Sequence, residues 1–207
     1  MGIIWSASKR EGKNGIWNTK FLIQKLQKMK ILFEIDKDTM SSSISHTIKK
    51  RDTPKDVFYT PSSLVKEHLE LVVEYAKEGD KWFEPFYGGG VYYDAFPTEN
   101  KVFTEIAMGK DFFEFKDEVE MIVSNPPYSM IDKVLAHSVS LKPRIISYLI
   151  GQGNMTARRV EYMNQQGYGL AKIHMTKVFK WYGMSYIVVF LKGHKGNAMS
   201  FDRKVHK

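Results

Sequence analysis

The 207-residue chain contains no cysteine. Disulfides, thiolate metal sites and cysteine nucleophiles are thereby excluded. Histidine is scarce: the six residues are scattered with no metal-ligand spacing, so no metal site is expected. Long apolar runs are missing too. The longest, such as Tyr186 to Leu191, are far too short to span a bilayer, and no membrane association is expected. Lys9 and Arg10 follow only a few apolar residues, which does not make a secretory signal. An intracellular, cytoplasmic protein is the expectation. The 43% of hydrophobic and 26% of charged residues suit one globular domain with a real core, leaving room only for a small appendage.

The charge is unevenly placed. Net charge is +8, yet residues 1–56 carry +6, residues 57–140 carry −8 and residues 141–207 carry +10. An acidic middle between two basic ends would attract a polyanion, and nucleic acid is the partner this segregation favours.

A domain boundary is expected near residue 53. Residues 1–52 read as a basic helical appendage, with Phe21, Leu22, Leu26, Met29, Leu32 and Phe33 at helical spacing and Ser41-Ser42-Ser43 as a linker. Residues 53–207 read as an α/β domain. A helix capped by Ser62 and ended by Gly79 leads it. Strands are expected at Trp82–Phe86, Lys101–Glu105, Met121–Ser124, Arg144–Ile150, Gly169–Thr176 and Ser185–Leu191, with helices at 130–141 and 156–165. Strands alternating with helices imply a mostly parallel sheet, and the last two strands fit an antiparallel hairpin.

The informative tetrapeptide is Asn125-Pro126-Pro127-Tyr128, directly after the apolar strand Met121-Ile122-Val123. Ligands of a parallel α/β sheet bind at the carboxyl ends of its strands, where these residues fall. Two consecutive prolines stiffen the loop and leave carbonyls without competing N–H groups. Asn125 adds an amide oxygen and Tyr128 a flat face. The set suits a planar molecule bearing an NH₂ group.

At this point the chain, over roughly residues 57–192, resembles the amino-group methyltransferases that use S-adenosylmethionine, and within them the DNA adenine-N6 methyltransferases, compact phage and viral enzymes above all. Phe83-Glu84-Pro85-Phe86-Tyr87-Gly88-Gly89-Gly90 resembles the family's first motif, the strand and glycine-rich turn against which the cofactor lies. Tyr59-Thr60-Pro61 is similar to the segment that closes over the methionine end. By the resemblance, Glu105 stands where the family keeps an acid for the ribose hydroxyls, and Asp111-Phe112 where it reads the cofactor adenine. The resemblance implies a Rossmann-like class I methyltransferase fold of the seven-stranded type. It also implies S-adenosylmethionine as cofactor, adenine N6 in DNA as target, and a bacterial or phage origin. An exocyclic amine is a poor nucleophile because its lone pair is delocalised into the ring. Asn125 and the Pro126 carbonyl would accept its hydrogens and turn the lone pair toward the methyl group, while Tyr128 would stack on the ring. Val178-Phe179 resembles the segment that supplies a second aromatic for a flipped base, with Trp181 and Tyr182 as alternatives.

The chain departs from the family in two places. Only five residues separate Glu105 from Asp111, so the chain must turn tightly there, with Gly109 the candidate, and either acid could meet the ribose. Only 16 residues follow Leu191, so target recognition must come from residues 1–52, from Gly151-Gln152-Gly153-Asn154, or from a partner subunit. Arg158 and Arg159 could hold phosphates or form a solvated helix face. A glutamine amide in a protein poses the same lone-pair problem as adenine, so it stays open as a substrate beside adenine in RNA.

Overall fold

The computed structural model describes residues 59–178 and 184–199. The expected N-terminal appendage, Phe179, Trp181 and Tyr182 lie outside these residues. Helix α1, Ser62–Val72, buries Leu64, Val65, His68, Leu69 and Val72 on one face. Ser62 is not its cap. Pro61 takes that position, and its carbonyl accepts the N–H groups of Leu64 and Val65 at 3.0 and 3.1 Å. Nor does Gly79 end the helix. A 3₁₀ turn, Val73–Tyr75, closes it, and Gly79, with φ of 83°, belongs to the following turn.

Strand β1, Trp82–Glu84, leads through the glycine turn into a short helix α2, Val91–Ala95, and strand β2, Lys101–Phe103. Strand β3, Met121–Ser124, precedes helix α3, Ile131–Ser140. Strand β4, Ile145–Gly151, precedes helix α4, Ala157–Gln165, whose N-cap is Thr156. Strands β5, Tyr168–Thr176, and β6, Ser185–Lys192, complete the sheet. The sheet order is β2-β1-β3-β4-β6-β5. The first four strands run parallel and β5 pairs antiparallel with β6, as the sequence led one to expect; β6 also pairs antiparallel to β4.

Both faces of the sheet are covered, which is why its central strands are apolar throughout rather than alternating. Trp82, Met121, Val123, Ile145 and Val189 face the cluster that holds Val65, Leu69 and Val72 of α1. Their strand neighbours Phe83, Ile122, Ile146 and Val188 face the opposite cluster, with Val134 and Leu135 of α3 and Met163 of α4.

The sheet has six strands among the described residues, not the seven of the expected type. The short connection after β2 is the reason. It is spent on two 3₁₀ turns, Ile106–Met108 and Phe112–Glu114, and an isolated bridge between Glu105 and Lys110. Gly109 makes the turn, with φ of 72°.

The chain leaves β1 toward β2 on one side, then returns to lay β3 on the other. This reversal opens a crevice beyond the carboxyl ends of β1 and β3, the place where open α/β sheets bind ligands.

Candidate active site

A cavity of about 460 Å³ fills that crevice. The loop after β1 supplies Phe86, Tyr87, Gly88 and Gly89, α2 supplies Val91 and Tyr92, and the stretch after β2 supplies Glu105, Ala107 and Met108. Asn125 and Pro127 come from the loop after β3, while Tyr59 and Thr60 close the side ahead of α1. Of the residues singled out from the sequence, the structure thus brings together Tyr59, Thr60, Phe86, Gly88, Glu105 and Asn125.

The glycine turn is shaped by backbone needs. Gly88 and Gly90 have φ of 52° and 80°, a region that costs other residues strain. Gly89 lies under the ring of Tyr59: a Cβ there would stand 3.3 Å from Tyr59 Cδ1. The Glu105 carboxylate spans the turn and its own loop. Its Oε2 accepts the Gly88 N–H at 2.8 Å and its Oε1 the Ala107 N–H at 3.1 Å. Each carboxylate oxygen can accept again, so capacity remains for a hydroxyl pair in the cavity.

Asn125 is held by its amide nitrogen, which donates to Thr60 Oγ1 at 3.1 Å. Its amide oxygen is buried and accepts no hydrogen bond.

Behind this wall, Glu84 is completely buried. Its Oε1 accepts the Phe86 N–H at 3.1 Å and the Ser124 hydroxyl, while Oε2 has no partner. Burial pushes its carboxyl up to about 8, against the pull of the hydrogen bonds from Ser124 and Phe86 and with some help from the Glu105 charge. Glu84 is therefore a neutral acid at pH 7, tying the ends of β1 and β3 together. Neither it nor Pro85 lines the cavity, because the side chain is drawn into the sheet by Ser124.

Other sequence candidates lie off the wall as well. Asp111 caps the second 3₁₀ turn, accepting the Phe113 N–H at 2.9 Å. Phe112 is taken into the core, its ring 5.0 Å from that of Phe86 and 4.6 Å from that of His137. Pro126 is buried, and it is the next residue, Pro127, that faces the cavity. Tyr128 opens a 3₁₀ turn and packs, half-buried, against the core beside α3. Arg158 and Arg159 both pair with Asp132, at 2.6 and 2.7 Å, and their contact holds the Asp132 carboxyl below its ordinary range.

Sequence reasoning missed Tyr92. Its hydroxyl is 2.7 Å from His68 Nδ1, and His68 Nε2 is 2.7 Å from Ser147 Oγ. Ser147 donates to the Val188 carbonyl at 2.9 Å, so it accepts from His68, which places the proton on Nε2 and leaves Nδ1 to accept from Tyr92. Burial lowers the imidazole to about 3 and keeps it neutral. This chain of bonds anchors α2, and with it the cavity wall, to β4. His68 and Ser147 are 79 residues apart, so no sequence window holds both.

No protein-family model and no curated protein matches the chain. Solved structures do. Magnesium protoporphyrin IX methyltransferase from Synechocystis PCC 6803, with bound SAM, aligns over 87% of this chain and 100% of its own at 12% identity, with a TM-score of 0.55. The same enzyme with bound SAH aligns over 84% of this chain and 95% of its own at 11% identity and a TM-score of 0.51. A modification subunit assigned to a type I restriction enzyme from Vibrio vulnificus YJ016 aligns over 73% of this chain and 48% of its own, at 14% identity and a TM-score of 0.50. The chain has the Rossmann-like class I methyltransferase fold.

Proposed function

We propose that this protein transfers a methyl group from S-adenosylmethionine to the N6 amino group of adenine in DNA. The carrying observation is the Asn125 amide oxygen, buried and without a donor, on a residue that lines the switch-point cavity. A buried acceptor left unpaired costs about 1–3 kcal/mol, and a substrate N–H group would relieve it.

The residues present fit the cofactor. The glycine turn beneath Tyr59 leaves a cradle that a Cβ at Gly89 would begin to fill. Glu105 lines the cavity with acceptor capacity for the ribose hydroxyls, and the apolar Phe86, Val91 and Met108 offer surface for the rest. When bound, S-adenosylmethionine supplies a sulfonium-activated methyl group, so no covalent enzyme intermediate is required. The protein's part is positioning. Asn125 takes one hydrogen of the target amine, and the rigid Pro126-Pro127 loop fixes a backbone carbonyl for the other. Thr60 holds the Asn125 amide so that its oxygen, rather than its nitrogen, is presented.

DNA as the substrate is supported by the net charge of +8, concentrated at the two ends of the chain. The test incubates the full chain with labelled S-adenosylmethionine and, separately, duplex DNA, single strands, RNA and a glutamine-bearing protein, followed by nucleoside analysis. Label in N6-methyldeoxyadenosine is the expected result. Label confined to RNA or to protein overturns the DNA assignment, and no label in any arm overturns the enzyme reading.

A further inference from the structure

Arg158 and Arg159 stand in the first turn of α4, and Asp132 in the first turn of α3. Both helices leave the carboxyl ends of neighbouring parallel strands, β3 and β4, so the three side chains meet at the same end of the sheet as the cavity. They border a hollow of about 210 Å³ with Leu135, Ala136 and Tyr162. Arg158 Nη2 reaches Asp132 Oδ2 at 2.6 Å, and Arg159 Nε reaches Oδ1 at 2.7 Å. One carboxylate thus bridges two guanidinium groups and leaves one positive charge unmatched.

The two arginines are not equivalent. Arg159 is 17% exposed and is further fixed by the Asn154 carbonyl at 2.8 Å and the Asn154 amide oxygen at 3.3 Å. Arg158 is 63% exposed and holds Asp132 by a single contact. Exposed ion pairs contribute little to stability, so the Arg158–Asp132 contact is easily exchanged. A phosphodiester offers two anionic oxygens that guanidinium groups bind as they bind a carboxylate, and it would balance the leftover charge.

We propose that Arg158 and Arg159 form a cradle for one backbone phosphate of the DNA, and that Asp132 is its internal competitor, displaced from Arg158 when the phosphate arrives. The inference rests on the DNA reading above. Asp132 would then lower affinity for any polyanion and make binding depend on what the rest of the surface contributes.

The experiment measures affinity of the full chain for labelled duplex DNA across a salt series, for wild type, Asp132→Asn, Arg158→Ala and the double variant. Asp132→Asn is expected to tighten binding about three- to tenfold at low salt and to steepen the logarithmic salt dependence by up to about 0.9, because no displaced carboxylate is left to take up a cation in exchange. Arg158→Ala should make it shallower by about 0.9. In the double variant the gain from Asp132→Asn should largely vanish. Thermal melting accompanies each variant. If the arginines only tie α3 to α4 through Asp132, the variants would leave the salt dependence unmoved, with at most a small fall in melting temperature. If wild type binds and methylates DNA while the variants match its salt dependence, the cradle alone is overturned. If wild type neither binds duplex DNA at low salt nor methylates it, the DNA reading and the cradle both fall.

Discussion

The carboxylate of Glu105, at the end of β2, accepts the backbone N–H of Gly88 at 2.8 Å, so the acid that closes one strand is locked to the glycine turn that follows another. Asp111, six positions further on, has no such relation and caps its own turn instead. The two acids are thereby separated in role. Glu105→Ala is expected to weaken binding of S-adenosylhomocysteine by about tenfold or more, the scale of hydrogen bonds to a charged group. Asp111→Ala should leave that affinity within about twofold and cost about 1 kcal/mol of stability through the lost cap. Titration calorimetry and melting, run on both variants, check this. Equal affinity losses would return Asp111 to the cofactor site.

Much of this arrangement was legible in the sequence. Met121–Ser124 is a strand over the residues anticipated, because a central parallel strand is a short apolar run bounded by polar residues. The antiparallel β5–β6 pair was equally readable from its two apolar stretches. What could not be read was how neighbours in space would claim particular side chains. Phe112 looked like a ring available to a ligand, but Phe83, Phe86, Phe113 and His137 draw it into the core. Helix α2, at five residues, is too short to show a period, so Val91 and Tyr92 were invisible as wall residues. The Asp132 contact of Arg158 and Arg159 joins residues 26 and 27 positions apart, and only the neighbouring placement of β3 and β4 brings it about.

Asn125 separates activity from stability. Asn125→Ala removes a buried acceptor that has no partner in the folded chain together with the hydrogen bond to Thr60 Oγ1, two effects of opposite sign, so the melting temperature should shift little, within about 1 kcal/mol of stability. Turnover should fall about 10²- to 10³-fold, as for loss of a positioned group that acts in the transition state. Asn125→Asp keeps an acceptor oxygen, and Thr60 can donate its hydroxyl to the carboxylate, so it should retain more activity than the alanine variant. An alanine variant as active as wild type would remove Asn125 from the mechanism.

Neighbouring glycines should respond differently to the same methyl group. At Gly90 a Cβ would stand 2.6 Å from the Tyr87 hydroxyl, on a backbone with φ of 80°. The Tyr87 ring is wedged 4.4 Å from that of Phe103 and 5.8 Å from that of Tyr93, so it has little room to yield. Gly90→Ala should destabilise the fold by roughly 1–3 kcal/mol. At Gly89 the obstacle is the ring of Tyr59, which is 57% exposed and free to swing. Gly89→Ala should melt near wild type yet bind S-adenosylhomocysteine more weakly, because the displaced ring no longer covers the turn. Matching melting curves for the two variants would contradict this reading of the turn.

Stability should depend on pH in a manner set by two buried groups with opposite signs. His68 is lowered to about 3 in the folded chain, against about 6.5 when unfolded. Between these values the unfolded chain binds the extra proton, so stability contributed by neutral His68 is complete above about 6.5 and is lost as pH falls toward 3. Glu84 is raised to about 8, against its ordinary value of 4.5. Here the folded chain holds the extra proton, so the contribution is complete below about 4.5 and is lost as pH rises toward 8. Each slope amounts to about 1.4 kcal/mol per pH unit at most. From pH 4.5 to 6.5 the two cancel, leaving a plateau with an acid decline caused by His68 and an alkaline decline caused by Glu84. Glu84→Gln reproduces the shape of the neutral acid, and its amide oxygen can still accept from Ser124 and the Phe86 N–H. It should match wild type below about pH 4.5, go on gaining stability up to about pH 6.5 where wild type is level, and hold that gain to pH 8 where wild type declines. Melting temperatures of the two proteins from pH 4 to 8 supply the measurement. An alkaline decline that survives in Glu84→Gln would show that another group causes it, and that Glu84 is not the buried neutral acid joining β1 to β3.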